Sequence, residues 1–443
     1  MSKLRTRLGT VAAAAAVTAL AACSGGGGSA EPTTNADGST TLNMWTFADV
    51  HAAYYESMAD QWNEANPDKE IQLKVTVYPY DDMHNKLQLA LNSGQGLPDV
   101  VDIEVNKFAD FVKGSKPPLV DLTEAAAPYQ EDVVQARLDL YSKDGKVYGF
   151  PTHVGAFVAF YNTELLEGAG VDYTTIETWD DFREAGVKYH DATDKAFGVA
   201  STSVHFIEPL ITAQLGGQYL DAEGNVQVNS PEVVEAVSMI QEMQEAGAVS
   251  TIPGGSPDSE EAFGAINKGD YAAIVYPAWY TSRYVDYMPD LDGKVAIAPA
   301  PAPEGAEFRT IGGGGTGTAI PAASPNQDLA SEWLAFAKLS PEANVAVWEE
   351  LGFDPVNMAV WEDEEVTKNP ENKFNKYFET NLFDVLNEVK DGIGHLESFS
   401  DPAWPSVDNT FTTVTLNDVY ENGMSPQEAL DKAQSTLQNE LGQ

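Results

Sequence analysis

The sequence predicts an α/β protein of two lobes, on three observations. The first is alternation near the start. Residues 41–47 read as a strand, Tyr55, Met58, Ala59 and Trp62 recur at helical spacing, and Ile71, Leu73, Val75 and Val77 alternate as in a strand. Met83, Leu87, Ala90 and Leu91 then mark a second helix before the apolar run 100–103. Strand and helix alternating in this way imply parallel strands with right-handed crossovers, whose ligands bind beyond the strand carboxyl ends. Phe47, Asp49, Glu104 and Asn106 lie just past two such ends.

The second observation is the stretch 150–162, FPTHVGAFVAFYN. From Val154 to Tyr161 it is apolar on both faces, as in a strand covered on both sides. Its first half carries Pro151, His153 and Gly155 where a core strand would carry bulk. A strand entry with a satisfied histidine would explain that; a crossing between lobes, with His153 at a cleft, explains it too. The third observation is Pro299, Pro301 and Pro303 alternating with alanine, a stiff extended connector read as a second crossing.

Lys3, Arg5 and Arg7 precede an apolar run over 8–22, too short to span a bilayer as a mature helix and shaped as a secretory signal. It ends Leu20-Ala21-Ala22-Cys23, which resembles a bacterial lipobox, and Cys23 is the only cysteine. An exported chain with no second thiol makes no internal disulfide, so Cys23 is read as a lipid anchor. Residues 24–40 lack large apolar side chains and read as part of a flexible tether. The expected division is signal peptide 1–22, tether 23–40, first lobe 41–152 with 302–340, and second lobe 153–301 with 341–443.

Composition narrows the partners. With 25 Lys and Arg against 68 Asp and Glu, the formal charge is −43. Nucleic acid is excluded as a partner, because phosphate neutralisation needs clustered cations. A strongly anionic ligand is disfavoured for the same reason.

Further along, Thr178-Trp179-Asp180-Asp181 predicts a capped helix start, and 197–200 a short strand. Thr202, Ser203, His205, Phe206 and Glu208 form a polar cluster at the following strand-to-helix junction, which suits ligand contacts or plain helix capping. Ser-Pro pairs at 230, 324, 340 and 425 predict helix starts. A strand over 271–275 leads into Tyr276-Pro277-Ala278-Trp279-Tyr280.

Gly312–Gly317, reading GGGGTG, formally satisfies G-x-G-x-x-G, but Thr318-Ala319-Ile320-Pro321 follows where a helix would have to open. The glycines, Gly313 and Gly314 among them, are read instead as backbone passing close to a ligand or to the other lobe. No G-x-S-x-G elbow, H-E-x-x-H or cysteine nucleophile is present, and the six histidines are scattered. No cofactor or metal is expected. A glycoside hydrolase using two carboxylates stays open as the alternative function.

Aromatic placement is more informative. Trp279 and Tyr280 follow a strand, and Trp404 sits between Pro402 and Pro405, whereas Trp45 and Trp62 fit a core. Sugars present apolar C–H faces and a hydroxyl rim, matched by flat aromatics with Asp, Glu, Asn and His around them. One ring covering about 80 Å² of sugar face contributes on the order of 2 kcal/mol.

The chain resembles the extracellular solute-binding proteins of the maltose-binding type. The resemblance rests on Leu97-Pro98-Asp99-Val100-Val101, on 145–151 (GKVYGFP), 160–166 (FYNTELL) and 178–182 (TWDDF), on 267–273 (NKGDYAA) before Trp279, on the Ser324-Pro325 helix start and on the last helix from Ser425. It implies a type II periplasmic-binding-protein fold, each lobe a mainly parallel sheet flanked by helices, with the ligand between the lobes. It also implies a monomeric, non-enzymatic lipoprotein outside the cell membrane, probing for a neutral mono- or oligosaccharide and delivering it to the permease of an ABC importer. By position, Phe47, Asp49, Glu104 and Asn106 would supply first-lobe contacts and His153 and Gly155 the hinge. His205 and Phe206 would follow from the second lobe, Trp279 would be the stacking residue, and Trp404 another aromatic. The family's acidic contact after its Tyr-Pro hinge is absent here, where His153-Val154-Gly155 stands, which argues against maltose itself.

Overall fold

The computed structural model describes residues 34–443. The expected signal peptide, the Cys23 anchor and the tether up to residue 33 lie outside the described residues. Residues 34–39 of that tether form a turn, in which Asn35 Nδ2 donates to Ser39 Oγ at 2.9 Å.

The first sheet grows from the predicted alternation. Strand β1 (Thr40–Thr46) precedes helix α1 (Asp49–Ala65), β2 (Ile71–Val77), α2 (Tyr80–Ser93), β3 (Val100–Glu104) and α3 (Val105–Val112). β1 pairs in parallel with both β2 and β3. Trp45 and Trp62 are buried, as their strand and helix-face positions predict. A short helix α4 (Gln135–Asp139) then leads to β4 (Phe150–Pro151).

The second sheet is built on β5 (Phe157–Asn162), buried along its whole length. β6 (Ala273–Pro277) and β7 (Val295–Pro299) flank it, and both run antiparallel to it. The expectation of a mainly parallel sheet is therefore corrected for the three-stranded sheet of this lobe; parallel pairing occurs beside it, in the two-stranded pairs 198–200 with 249–251 and 310–311 with 393–394. The cause is connectivity: β5 starts at the hinge and runs outward, so β6 must run back to bring Trp279 to the cleft. Helix α5 (Thr281–Tyr287) follows. The chain then returns to the first sheet as β8 (Thr316–Ala319), antiparallel to β3 and β4, giving the order β2-β1-β3-β8-β4.

The return crossing lies later than the Pro-Ala run. Ala302 N still bonds the Glu177 carbonyl, and Thr310 pairs with Ile393, so the lobes are joined at 312–315 instead of 299–303. Gly313 N donates to Gly155 O at 2.9 Å where the two crossings touch. Here bulk is excluded: a Cβ on Gly155 would lie 2.7 Å from the Gly313 oxygen, and one on Gly312 2.5 Å from the Val154 oxygen. A third segment meets these crossings at Asp354, whose carboxylate accepts from the Gly155 and Ala156 amides at 3.0 and 2.8 Å.

Helix α6 (Gln327–Leu339) starts after its predicted position; Ser324 Oγ donates to buried Asp99 at 2.6 Å and accepts from the Asn326 amide at 3.2 Å. Ser340 does cap α7 (Pro341–Ala346), which packs on α6, and the turn Val347–Leu351 packs on α1. Residues after 340 therefore serve both sheets, whereas the sequence placed all of them in the second lobe. Leu382–Val389 packs on β7 and Pro426–Leu441 on the helix Pro231–Glu245. Helix α8 (Trp404–Thr410) touches α3 across the lobes.

Candidate functional site

The carboxyl ends of β1 and β3 open onto one wall of the interlobe cleft. Phe47, half-buried after β1, lies edge-on to Tyr80 at 5.1 Å and 5.4 Å from His84. Glu104 caps α3: its Oε2 accepts from the Asn106 amide at 2.7 Å and from the Tyr80 hydroxyl at 3.1 Å. His84 Nε2 accepts from the Glu104 amide at 3.1 Å while its Nδ1 donates to the Tyr80 carbonyl at 2.8 Å. That arrangement needs the neutral ring, and burial pushes the His84 pKa down to about 4. Burial pushes the Glu104 carboxyl up to about 7; the like charge of Asp408 adds to this against the two hydrogen bonds. Asp49 is exposed at the start of α1.

Beneath this wall lies a buried polar network. Asp102 accepts from the Tyr55 hydroxyl at 2.6 Å, Thr318 Oγ1 at 2.7 Å and Thr46 Oγ1 at 2.8 Å. His51 Nδ1 is 3.3 Å from Asp102 Oδ2 but misaligned for a hydrogen bond. Lys338 donates to Tyr55 at 2.8 Å and to Thr152 beside the hinge. Burial opposes ionisation of Asp102, yet the His51 contact and the Lys338 ammonium outweigh it and hold the carboxyl below its usual range. Burial lowers Lys338 to about 8.

The opposite wall comes from the second sheet. Trp279, at the end of β6, is half-buried and stands edge-on to Tyr276 at 5.3 Å; Phe206 lies 5.4 Å from the same tyrosine. Trp279 Nε1 donates to the Gly313 carbonyl at 2.9 Å, so the indole is fixed by the hinge backbone. A Cβ placed on Gly314 would lie 3.6 Å from both Phe206 Cζ and Trp279 Nε1. Thus Phe206, Trp279, Gly313 and Gly314 come together, as do Phe47, Glu104 and Asn106 on the facing wall.

Four predicted contacts are covered in this conformation. Tyr280 is in the core, its hydroxyl donating to the Pro257 carbonyl at 2.7 Å. His205 is stacked between Phe411 at 4.1 Å and Trp404 at 5.7 Å. Trp404 is 1 % exposed, with Phe399 against it and its Nε1 donating to Asn106 Oδ1 at 3.0 Å. A proline-flanked loop looked exposed in sequence, but Trp404 opens a helix that docks against α3. His153 is buried under Phe353 at 4.9 Å, and neither ring nitrogen has a hydrogen-bond partner. Burial, with the Arg137 charge beside it, keeps this ring neutral.

Sequence reasoning missed Tyr80, His84, Arg137, Phe353, Asp354 and Asp408. Tyr80 and His84 follow a strand end at helical spacing, a signal that was available. Arg137, which donates to Gly314 O at 2.7 Å, and Asp354 reach the hinge only through tertiary folding. No helix among the described residues is long and apolar enough to cross a membrane.

Residues 47–344 match the family model of the bacterial extracellular solute-binding proteins. An arabinooligosaccharide-binding protein of Halalkalibacterium halodurans is 40% identical over 409 residues, covering 92% of this chain and 91% of that protein. Its counterpart in Bacillus subtilis is 39% identical over 410 residues, covering 92% and 94%. Among solved structures, the sugar-binding protein MalE of Xanthomonas citri superposes with a TM-score of 0.76 at 18% identity, covering 90% of this chain and 97% of that one. The two-lobed fold, the shared cleft and these relatives agree: the chain belongs to the bacterial extracellular solute-binding protein family.

Proposed function

We propose that the protein captures a neutral oligosaccharide, of the arabino-oligosaccharide class, between its lobes and delivers it to the permease of an ABC importer. The observation that carries this is the half-buried Trp279, locked to Gly313 at the end of β6 and accompanied by Phe206. Across the cleft stand Phe47, Tyr80, Asp49, Glu104 and Asn106, which supply acceptors and donors for a hydroxyl rim. Lobe one is formed around β1–β4 with β8, and lobe two around β5–β7. His205 and Trp404 support the second wall from behind, and His153 and Gly155 set the hinge.

The identities of 40% and 39% to two arabinooligosaccharide-binding proteins support this substrate class. The lipobox-like end at Cys23 supports attachment to the outer face of the membrane through lipid alone. The hydrolase alternative draws no support from these relatives. Incubation with an arabino-oligosaccharide tests the proposal: stoichiometric binding with the sugar recovered intact is expected, and product release on repeated turnover would overturn it.

A further inference from the structure

Between the first turns of α1 and helix α5 lies a crevice of 160 Å³, lined by Val50, Ala53, Tyr54, Arg283, Phe353 and Lys373, among others. A water needs only about 10–15 Å³ by that measure, so the space suits a ring-sized group. α1 packs with the first sheet and α5 follows the second, so an occupant would touch both lobes. Its link to the Trp279 wall is the Arg283 side chain, which lines the crevice and reaches the indole. The Arg283 guanidinium stands 5.3 Å from the Trp279 ring and is held there by Asp258 at 2.7 Å. Phe353, at the other side, lies against His153 at the cleft base.

The lining chemistry is specific. Val50 is 50% exposed, an apolar side chain without cover. Around the apolar surface stand Arg283 and Lys373 with Asp286 and Glu350, two charges of each sign. A rim balanced in this way offers hydrogen-bond donors and acceptors while giving no net attraction to an ion, which fits a neutral hydroxylated ring with an apolar face.

We propose that this crevice is a terminal subsite, resting on the carbohydrate reading above, which receives the end unit of an oligosaccharide whose next unit lies on Trp279. Chain-length preference then resides in α1 and α5. The test is calorimetric titration with arabino-oligosaccharides of increasing length. Wild-type affinity is expected to rise by about tenfold when the chain first reaches the crevice. Ala53→Trp and Val50→Trp, two exposed positions from which a large ring reaches into the space, lose that increment and keep the affinity for shorter members. Affinities equal to wild type across the ladder in both variants overturn the subsite while leaving carbohydrate capture intact. Equal weakening at every length overturns it as well. A wild type that binds no member overturns the carbohydrate reading and the subsite with it.

Discussion

Trp279 Nε1 and the Gly313 carbonyl oxygen are 2.9 Å apart, and this hydrogen bond ties the main aromatic surface of the cleft to the strap that joins the lobes. The indole is held from its edge, which leaves its faces to Arg283 and to the ligand. Trp279→Ala is therefore expected to weaken sugar affinity by on the order of 2 kcal/mol, the value of one covered sugar face. The variant should stay folded, with a thermal midpoint lowered by loss of the Gly313 hydrogen bond and the Tyr276 contact. Calorimetry paired with a melting curve checks both halves.

The glycine contact behind that bond makes its own prediction. Gly155 has φ +68°, and a Cβ there would meet the Gly313 oxygen at 2.7 Å; Gly293 has φ +70° with nothing within 4 Å. Gly293→Ala carries the backbone cost alone, about 1 kcal/mol. Gly155→Ala adds a clash between crossings and should lose about 1–3 kcal/mol more. Urea unfolding of the two variants separates the terms.

How far the sequence reached can be judged at such places. The parallel β1, β2 and β3 follow from a local period, so they and the wall formed by Phe47, Glu104 and Asn106 were legible. Gly155 was legible as a crossing because its lack of bulk contradicted the strand around it. The antiparallel pairing of β5 was not, since strand direction depends on how segments more than a hundred residues apart return. For Trp404 and His205, neighbouring prolines and polar residues suggested exposure, but burial was decided by α3 and by Phe411, remote in sequence. Asp354 carries no local signal at all.

The buried network predicts an asymmetry. Asp102→Asn removes the charge facing Lys338 and leaves an ammonium without compensation in the core, which should cost about 3–5 kcal/mol. Lys338→Met together with Asp102→Asn should recover much of that loss. Denaturant unfolding of the single and double variants gives the coupling directly, and additive losses would speak against a coupled pair.

Acidic residues set the pH response. Burial raises the folded pKa of Asp354 and of Glu104 to about 7, so between the ordinary carboxylate range and that value the native chain holds protons that the unfolded chain has released. Stability from these two groups is present at low pH and falls as pH rises toward 7. Lys338, lowered to about 8, acts in the opposite sense only above that value. Glu104→Gln should shrink the stability difference between about pH 5 and about pH 8, by on the order of 1 kcal/mol. An unchanged slope in that variant would remove Glu104 from the account.

The central claim is capture of a neutral oligosaccharide in the cleft between Phe47 and Trp279. Its most direct test is calorimetric titration of the wild-type protein with arabino-oligosaccharides. One-to-one binding at micromolar affinity or tighter, near −8 kcal/mol or stronger, is the predicted result. Absence of binding to every neutral sugar offered, with a peptide, amino acid or ion bound instead, would contradict it.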